Sequence, residues 1–186
     1  MTDFPKVIKC DDFVLEKIIS SFDNARKIFE IVDSQREFLS EFLDWVDVSN
    51  CPEDMYMHMY KVSKADNGSY YIIYNGDIVG NAGVDISSKK NKIAEIAYWL
   101  SRDYNGRGIM TRAVRALENF AFENMDVNRI EIIMDVKNVR SSAVAKRCGY
   151  VCEGVRRKSY MFRGELCDVF TYSKLKSEWE KENKNA

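Results

Sequence analysis

The residues best suited to chemistry begin at Tyr104-Asn105-Gly106-Arg107-Gly108-Ile109-Met110-Thr111, between a β-rich segment and a stretch of helical period. Glycines there let the backbone come close to a ligand. The unpaired N–H groups that open the next helix, backed by its dipole, make a seat for phosphate oxygens. Arg107 and Arg112 add positive charge. The plain alternative is a tight turn ahead of a helix. A Walker loop is excluded because the Gly-Lys-Ser/Thr ending is absent, and the glycines are too few for a dinucleotide fingerprint. A second group, Asn138-Val139-Arg140-Ser141, directly follows a strand-like run. Asn138 is suited to capping the following helix; it is equally suited to hydrogen-bonding an amide-bearing ligand at the strand's mouth, with Ser141 one turn in.

A covalent route finds little support. The five cysteines (Cys10, Cys51, Cys148, Cys152, Cys167) form no C-x-x-C pair, and His58 is the single histidine, so neither a zinc site nor a Cys–His pair assembles. Cys148 and Cys152 read as packing residues, and the Met-Tyr-rich run 55–60 as a helix face.

These groups must be held by a mixed framework. Residues 13–19 read as a strand, and 24–46 as two helices broken near Asp33, where Ser34 and Glu37 make a capping-box pattern. Pro52 followed by Glu53 and Asp54 starts another helix. Tyr70–Tyr74, the Asn75-Gly76 turn, the alternating 78–86 and the strand 93–100 form an antiparallel meander. Residues 109–125 return to helical period, 129–137 alternate, a short helix near 139–148 stops at Gly149, and a hairpin turns at Arg163-Gly164. The order predicts an α/β fold with helices packed on a mostly antiparallel sheet, as one domain. The charged tail after Trp179 is expected to fray.

The chain has 186 residues, 46% apolar and 31% charged, with a net charge of −1. That size supports a packed core without disulfide or metal, and the balance excludes disorder and a generally polyanion-binding surface. Charge is uneven: residues 1–50 hold six Lys and Arg against eleven Asp and Glu, whereas 102–163 hold thirteen against seven. An acidic front and a basic back suggest ligands of opposite sign, the acidic run steering a cationic acceptor or simply facing solvent. The start MTDFPKVIKCDDF carries no secretory pattern and no long apolar run is present, so a cytoplasmic protein without membrane contact is expected.

Taken in order, several short runs resemble the GNAT acyltransferases, and within them the RimJ/RimL type that acetylates N-termini of ribosomal proteins. They are Arg36-Glu37-Phe38-Leu39 leading to Trp45-Val46, Ala94-Glu95-Ile96-Ala97-Tyr98-Trp99-Leu100, the Gly106–Thr111 loop, Asn138–Ser141, Cys148-Gly149-Tyr150 and Glu153-Gly154. The likeness spans about Phe13 to Lys176. It implies a sheet of six to seven strands with four to five helices, splayed to admit acetyl-CoA. The cofactor's pyrophosphate would lie on Asn105 to Thr111, its pantetheine along Tyr98, Trp99 and Leu100 with Asn138, and its 3′-phosphate near Lys146 or Arg147. Asp103 stands where the wider superfamily often has Gln or Arg, and Ala145 where many members place a Tyr acid; both departures fit the subgroup. Ser141 becomes the expected acid, and Glu95, acting through water, the expected base, although Glu95 also reads as a paired or solvent-facing carboxylate. Arg36, Trp45 and Tyr98 are expected at the acceptor.

The implied reaction is direct acetyl transfer to an amine. At pH 7 an α-amine of pKa ~8 is roughly a tenth neutral, and a lysine of pKa ~10.4 only at roughly the 0.04% level. A site without a strong base therefore suits a protein N-terminus, with a ribosomal protein as the implied acceptor. A small-molecule amine such as a polyamine or aminoglycoside is the alternative acceptor, and a non-catalytic acyl-CoA-binding module the alternative class. No direct nucleic-acid partner is expected, and the chain is expected as a monomer or homodimer.

Overall fold

The computed structural model describes residues 3–64 and 68–184. Among the described residues eight strands are hydrogen-bonded in the order β1-β2-β3-β4-β5-β6-β8-β7, and six α-helices accompany them. The chain divides into two compact units, Asp3–Gly83 with Tyr98–Ala113, and Val84–Ala97 with 114–184.

In the first unit β1 (Val7–Cys10) pairs antiparallel with β2 (Phe13–Lys17), which pairs antiparallel with β3 (Gly68–Tyr74). β1 is the strand beyond the expected count; its four residues show no fully buried face that a sequence pattern could reveal. The Asn75-Gly76 turn into β4 (Asp77–Ser88) has φ of 52° and 89°, as a type I′ hairpin requires. α1 (Phe22–Ser34) begins where Ser21 Oγ accepts the Asn24 N–H, and buries Ala25, Ile28 and Val32 at helical spacing. α2 (Arg36–Ser40) follows a break at Gln35. The expected capping box does not form: Ser34 Oγ instead donates back to the Ile31 carbonyl. A 3-10 turn, Asp44–Val48, leads to α3 (Pro52–Lys64), whose Met55 and Met59 join the α1 residues in one apolar cluster with Leu39, Val46 and Tyr71.

In the second unit the first five residues of β5 (Ile93–Leu100) include its parallel pairing with β6 (Arg129–Asp135), over three residue pairs from Ile93↔Arg129 to Glu95↔Glu131. β6 by contrast pairs with β8 (Glu165–Leu175) along seven. The β5–β6 ladder therefore stops near its start, while each strand continues. β7 (Val151–Phe162) closes the order with a hairpin at Arg163-Gly164. α4 (Ile109–Asn124) buries Val114, Leu117, Ala121 and Phe122 in this unit. α5 (Val139–Arg147) ends at Gly149, with φ of 82° and its N–H donated to the Lys146 carbonyl.

Of the tail expected to fray, residues 180–184 belong to a helix, α6 (Lys176–Lys184), and residues 185–186 lie outside the described residues. Trp179 Nε1 donates to Asn119 at 2.7 Å and its ring lies 5.5 Å from that of Phe122. Glu182 reaches Lys174, a side chain 1% exposed, at 2.5 Å. Lys174 also meets Glu118 at 3.0 Å and the Cys148 carbonyl at 2.8 Å, so all three ammonium donors have acceptors.

Candidate functional site

The glycine loop opens α4 in an exposed position. Arg102–Tyr104 makes a single 3-10 turn, and Gly106 and Gly108 then take φ of 78° and 71°, the left-handed region that favours glycine. A Cβ on either would meet nothing within 4 Å, so conformation rather than crowding demands glycine, and the space above is open. Asn105 to Gly108 are exposed, while Ile109, Met110 and Ala113 are buried and anchor the helix start. The Gly108 carbonyl accepts the Arg112 N–H at 3.1 Å, making Gly108 the N-cap. The first turn of α4 carries no acid. An exposed helix start free of carboxylates is chemically an anion seat.

Its cationic surroundings differ from expectation. Arg112 Nη1 lies 2.5 Å from Asp12 and 3.5 Å from Asp11, so its charge is balanced by the β1–β2 turn. Arg107 donates to the Asp103 carbonyl at 3.1 Å and lies over the Tyr104 ring at 5.0 Å, remaining on the loop. The acidic front is similarly balanced at Asp23, which pairs with Arg26 and Lys27, and at Asp33, which pairs with Arg36.

A bracket absent from the expected set holds the loop. Gln35, buried at the α1–α2 break, donates from Nε2 to Ser101 Oγ at 2.8 Å and accepts the Arg102 N–H at 2.7 Å. Both ends of its amide are used on the residues that enter the glycine loop.

Tyr98, Trp99 and Leu100 end β5, all half-buried. Gly80 of β4 lets the strands press together here: a Cβ at Gly80 would collide with the Trp99 carbonyl oxygen. The Trp99 side chain walls a cavity of about 120 Å³ together with Trp45, His58, Ile28, Met55 and Met59. Trp45 stacks on His58 with centroids 5.6 Å apart and planes 17° apart, and tilts against Trp99 at 6.0 Å. Desolvation first and the charge of Lys61 second lower the His58 pKa below its ordinary value, which keeps the ring neutral at pH 7. Arg36 does not line this cavity. Its guanidinium donates to the carbonyls of Val46 at 2.6 Å and Ser49 at 2.9 Å, pinning the turn that carries Trp45.

In the second unit Asn138 Oδ1 accepts the Ser141 N–H at 3.0 Å, so the capping role is realised. Ser141 is half-buried in the first turn of α5, and Arg147 is exposed near its end. Ala145, at the position of the missing Tyr, is fully buried core. Glu95 is half-buried opposite Glu131, whose carboxylate is held by Arg129 at 2.7 Å. Burial first, and then the charge of Glu131, raise the Glu95 pKa above the usual carboxylate value, with Arg156 opposing. A carboxylate so placed is a stronger base than an exposed one. Cys148 is buried and its thiol is pushed up to about 11 by desolvation, which makes it a packing residue; Cys152, expected to pack, is exposed.

Gln35, Gly80 and His58 were not assigned from sequence. Gln35 offered only its place at a helix break; the other two gave no local signal, because their partners lie across the fold.

Comparison with known proteins places this geometry in a family. Residues 14–151 match the Acetyltransferase (GNAT) domain. The chain is similar to YdaF of Bacillus subtilis (strain 168), named provisionally as a ribosomal N-acetyltransferase, with 38% identity over 60% of this chain and 61% of that protein. The match thus spans about three fifths of that relative's length. The ribosomal-protein-serine acetyltransferase of Escherichia coli (strain K12) is 23% identical over 82% of this chain and 88% of its own. Among solved structures, the microcin C7 self-immunity acetyltransferase MccE, in complex with acetyl-CoA and AMP, superposes with a TM-score of 0.82 at 25% identity, covering 89% of this chain and 93% of that one.

Proposed function

This chain belongs to the GNAT acetyltransferases, and from that membership we propose that it transfers acetyl from acetyl-CoA directly to an amine, the N-terminal α-amine of a ribosomal protein. The exposed Gly106–Gly108 turn opening α4 carries this reading, because it offers main-chain hydrogens with no competing carboxylate in the first turn. The cofactor's pyrophosphate lies on Asn105 to Thr111 and its pantetheine along the main chain of Tyr98 to Leu100. The resemblance implies Asn138 at the pantetheine; the residues themselves offer Lys146 or Arg147 for the 3′-phosphate, Ser141 as the acid for the departing sulfur and Glu95, through water, as the base for the amine proton.

In the reaction the amine nitrogen bonds to the thioester carbonyl carbon, the C–S bond breaks, and the amine's proton leaves while the sulfur takes one up. A thiol of pKa ~8.5 is a good leaving group and needs only a modest acid. An α-amine needs only a modest base, which a half-buried Glu95 of raised pKa can supply. The acceptor is supported by the names of the Bacillus and Escherichia relatives. The cavity walled by Trp45 and Trp99 has no carboxylate in its lining and so offers a polyamine no counter-charge, unlike the cavity lined by Asp33, Glu37 and Glu41.

The test replaces Gly108 with Val. A β-branched side chain at φ of 71° is strained, so the loop must rearrange. Acetyl-CoA is expected to raise the melting temperature of the wild type, and that rise to vanish in Gly108→Val while the variant's own circular dichroism stays native. Normal stabilisation of the variant by acetyl-CoA would refute the phosphate seat. Thiol release with spermidine or kanamycin but with no peptide would refute the acceptor.

A further inference from the structure

Resting on the reading of an α-amine acceptor, we propose that the cavity walled by Trp45, His58 and Trp99 reads the acceptor's first side chain and selects an uncharged apolar one of leucine or methionine size. Three observations lead there, all within the first compact unit.

The first is size. A cavity of about 120 Å³ is slightly smaller than the ~150 Å³ apolar cavity that accommodates benzene in an engineered protein. Leucine and methionine side chains are of that order; a glycine or serine would leave the space empty, and a tryptophan would not enter. The second is chemistry. Ile28, Met55 and Met59 are apolar and belong to the cluster against which Trp45 and Trp99 pack. Neither a carboxylate nor an ammonium appears among the lining groups. The Tyr71 hydroxyl already donates to the Ile19 carbonyl at 3.4 Å, and Asn81 donates to the Tyr70 carbonyl at 2.8 Å. A charged side chain placed there would lose its hydration without a counter-charge, which is costly.

The third is position. Trp99 joins the cavity to the end of β5, the stretch assigned to the thioester arm. Its main chain serves that arm, while its side chain faces the cavity. His58 is exposed and stacked on Trp45, so solvent reaches the cavity at that rim. The turn carrying Trp45 is clamped by Arg36 through two carbonyls, so the aromatic wall is preorganised rather than assembled on binding. An apolar reader would set this chain apart from the Escherichia coli relative, whose name specifies serine.

The experiment separates this pocket from acetyl transfer itself. Leucinamide, methioninamide, serinamide, lysinamide and glycinamide each carry an α-amine and one first side chain. Binding is followed by intrinsic tryptophan fluorescence in a Trp179→Phe background, which leaves Trp45 and Trp99 as reporters. Leucinamide and methioninamide are expected to bind saturably and at least tenfold more tightly than the other three, since a methylene in an apolar pocket discriminates roughly 10-fold or more. Filling the cavity with Ile28→Phe is expected to abolish that preference, and Trp45→Ala to flatten it. Acetyl-CoA must still stabilise both variants, as evidence that they are folded. Equal binding of all five amides, no binding of any, or a preference for serinamide or lysinamide would overturn the proposal. Selective binding of leucinamide without thiol release would keep the pocket and refute the transferase reading instead.

Discussion

Lys174 in the second unit and His58 in the first are handled by opposite electrostatic rules. Lys174 is 1% exposed yet charged, because Glu118, Glu182 and the Cys148 carbonyl surround its ammonium. His58 is exposed yet held neutral, and the cavity it borders has no ionised side chain. Arg129, bridging Glu131 and Glu153 in the second unit, follows the Lys174 pattern. Charges that are paired inside a fold can be removed only together, whereas a neutral cavity can change its occupant without rearranging the protein. The contrast separates groups that hold a unit together from groups free to meet a substrate.

Breaking the Lys174 cluster should give the largest effect on stability. Lys174→Met leaves Glu118 buried and without its counter-charge, a loss of about 3–5 kcal/mol when one member of a buried pair is removed. For a chain of this size that corresponds to a fall in melting temperature of roughly 10 °C or more. Because Glu118→Leu removes the stranded carboxylate, the Lys174→Met/Glu118→Leu double variant is expected to recover much of the loss in a thermal melt. A single variant as stable as wild type would show that the ammonium does not anchor α6.

An intermediate effect belongs to Gln35, which is neutral and holds the loop through two hydrogen bonds. Gln35→Ala strands a buried Ser101 hydroxyl and removes the Arg102 acceptor. Stability should fall by about 1–3 kcal/mol. Hydrogen exchange at Arg102 to Gly108 should accelerate while exchange at Lys174 is unchanged. Acceleration spread evenly through both units would contradict a local bracket.

Gln35 also shows where sequence reading stops. The Asn75-Gly76 and Arg163-Gly164 turns, the Gly149 cap and the Gly106–Gly108 loop were legible because the information for a left-handed residue lies in the residue itself. Asn138 could be read as a cap for the same local reason. Gln35 pairs with a residue 66 positions away, and nothing near it in sequence announces Ser101. The stretch after Trp179 reads as fraying because its charge suggests solvent, yet Glu182 finds its partner in Lys174. Arg112 is expected to add positive charge at the anion seat, yet Asp11 and Asp12, a hundred positions earlier, already neutralise it. Turns and caps are set by neighbours in the chain; brackets, ion clusters and cavity walls are set by whatever the fold brings alongside.

The smallest effect tests the same contrast at the surface. Glu153 accepts two hydrogen bonds from Arg129, at 2.7 and 2.5 Å, and one from Ser173 at 2.8 Å. Arg129 first and Ser173 second lower its pKa to about 2. A carboxyl whose folded pKa lies below its unfolded value of ~4.3 stabilises the protein above that pH. The contribution falls away as pH drops from there through about 2. Since the Glu153 side chain is 45% exposed, solvent and salt limit the effect to no more than about 1 kcal/mol. Glu153→Gln should therefore cost little at pH 7, and the gap between variant and wild type should close between pH 4 and pH 2. That closing gap would be seen in urea melts at low salt and would shrink in 1 M NaCl. A gap that widened with acid would mean that Glu153 is protonated in the fold and that Arg129 is held by Glu131 alone. The Arg129 cluster would then contain one ion pair rather than two, and its likeness to the enclosed Lys174 site would fail.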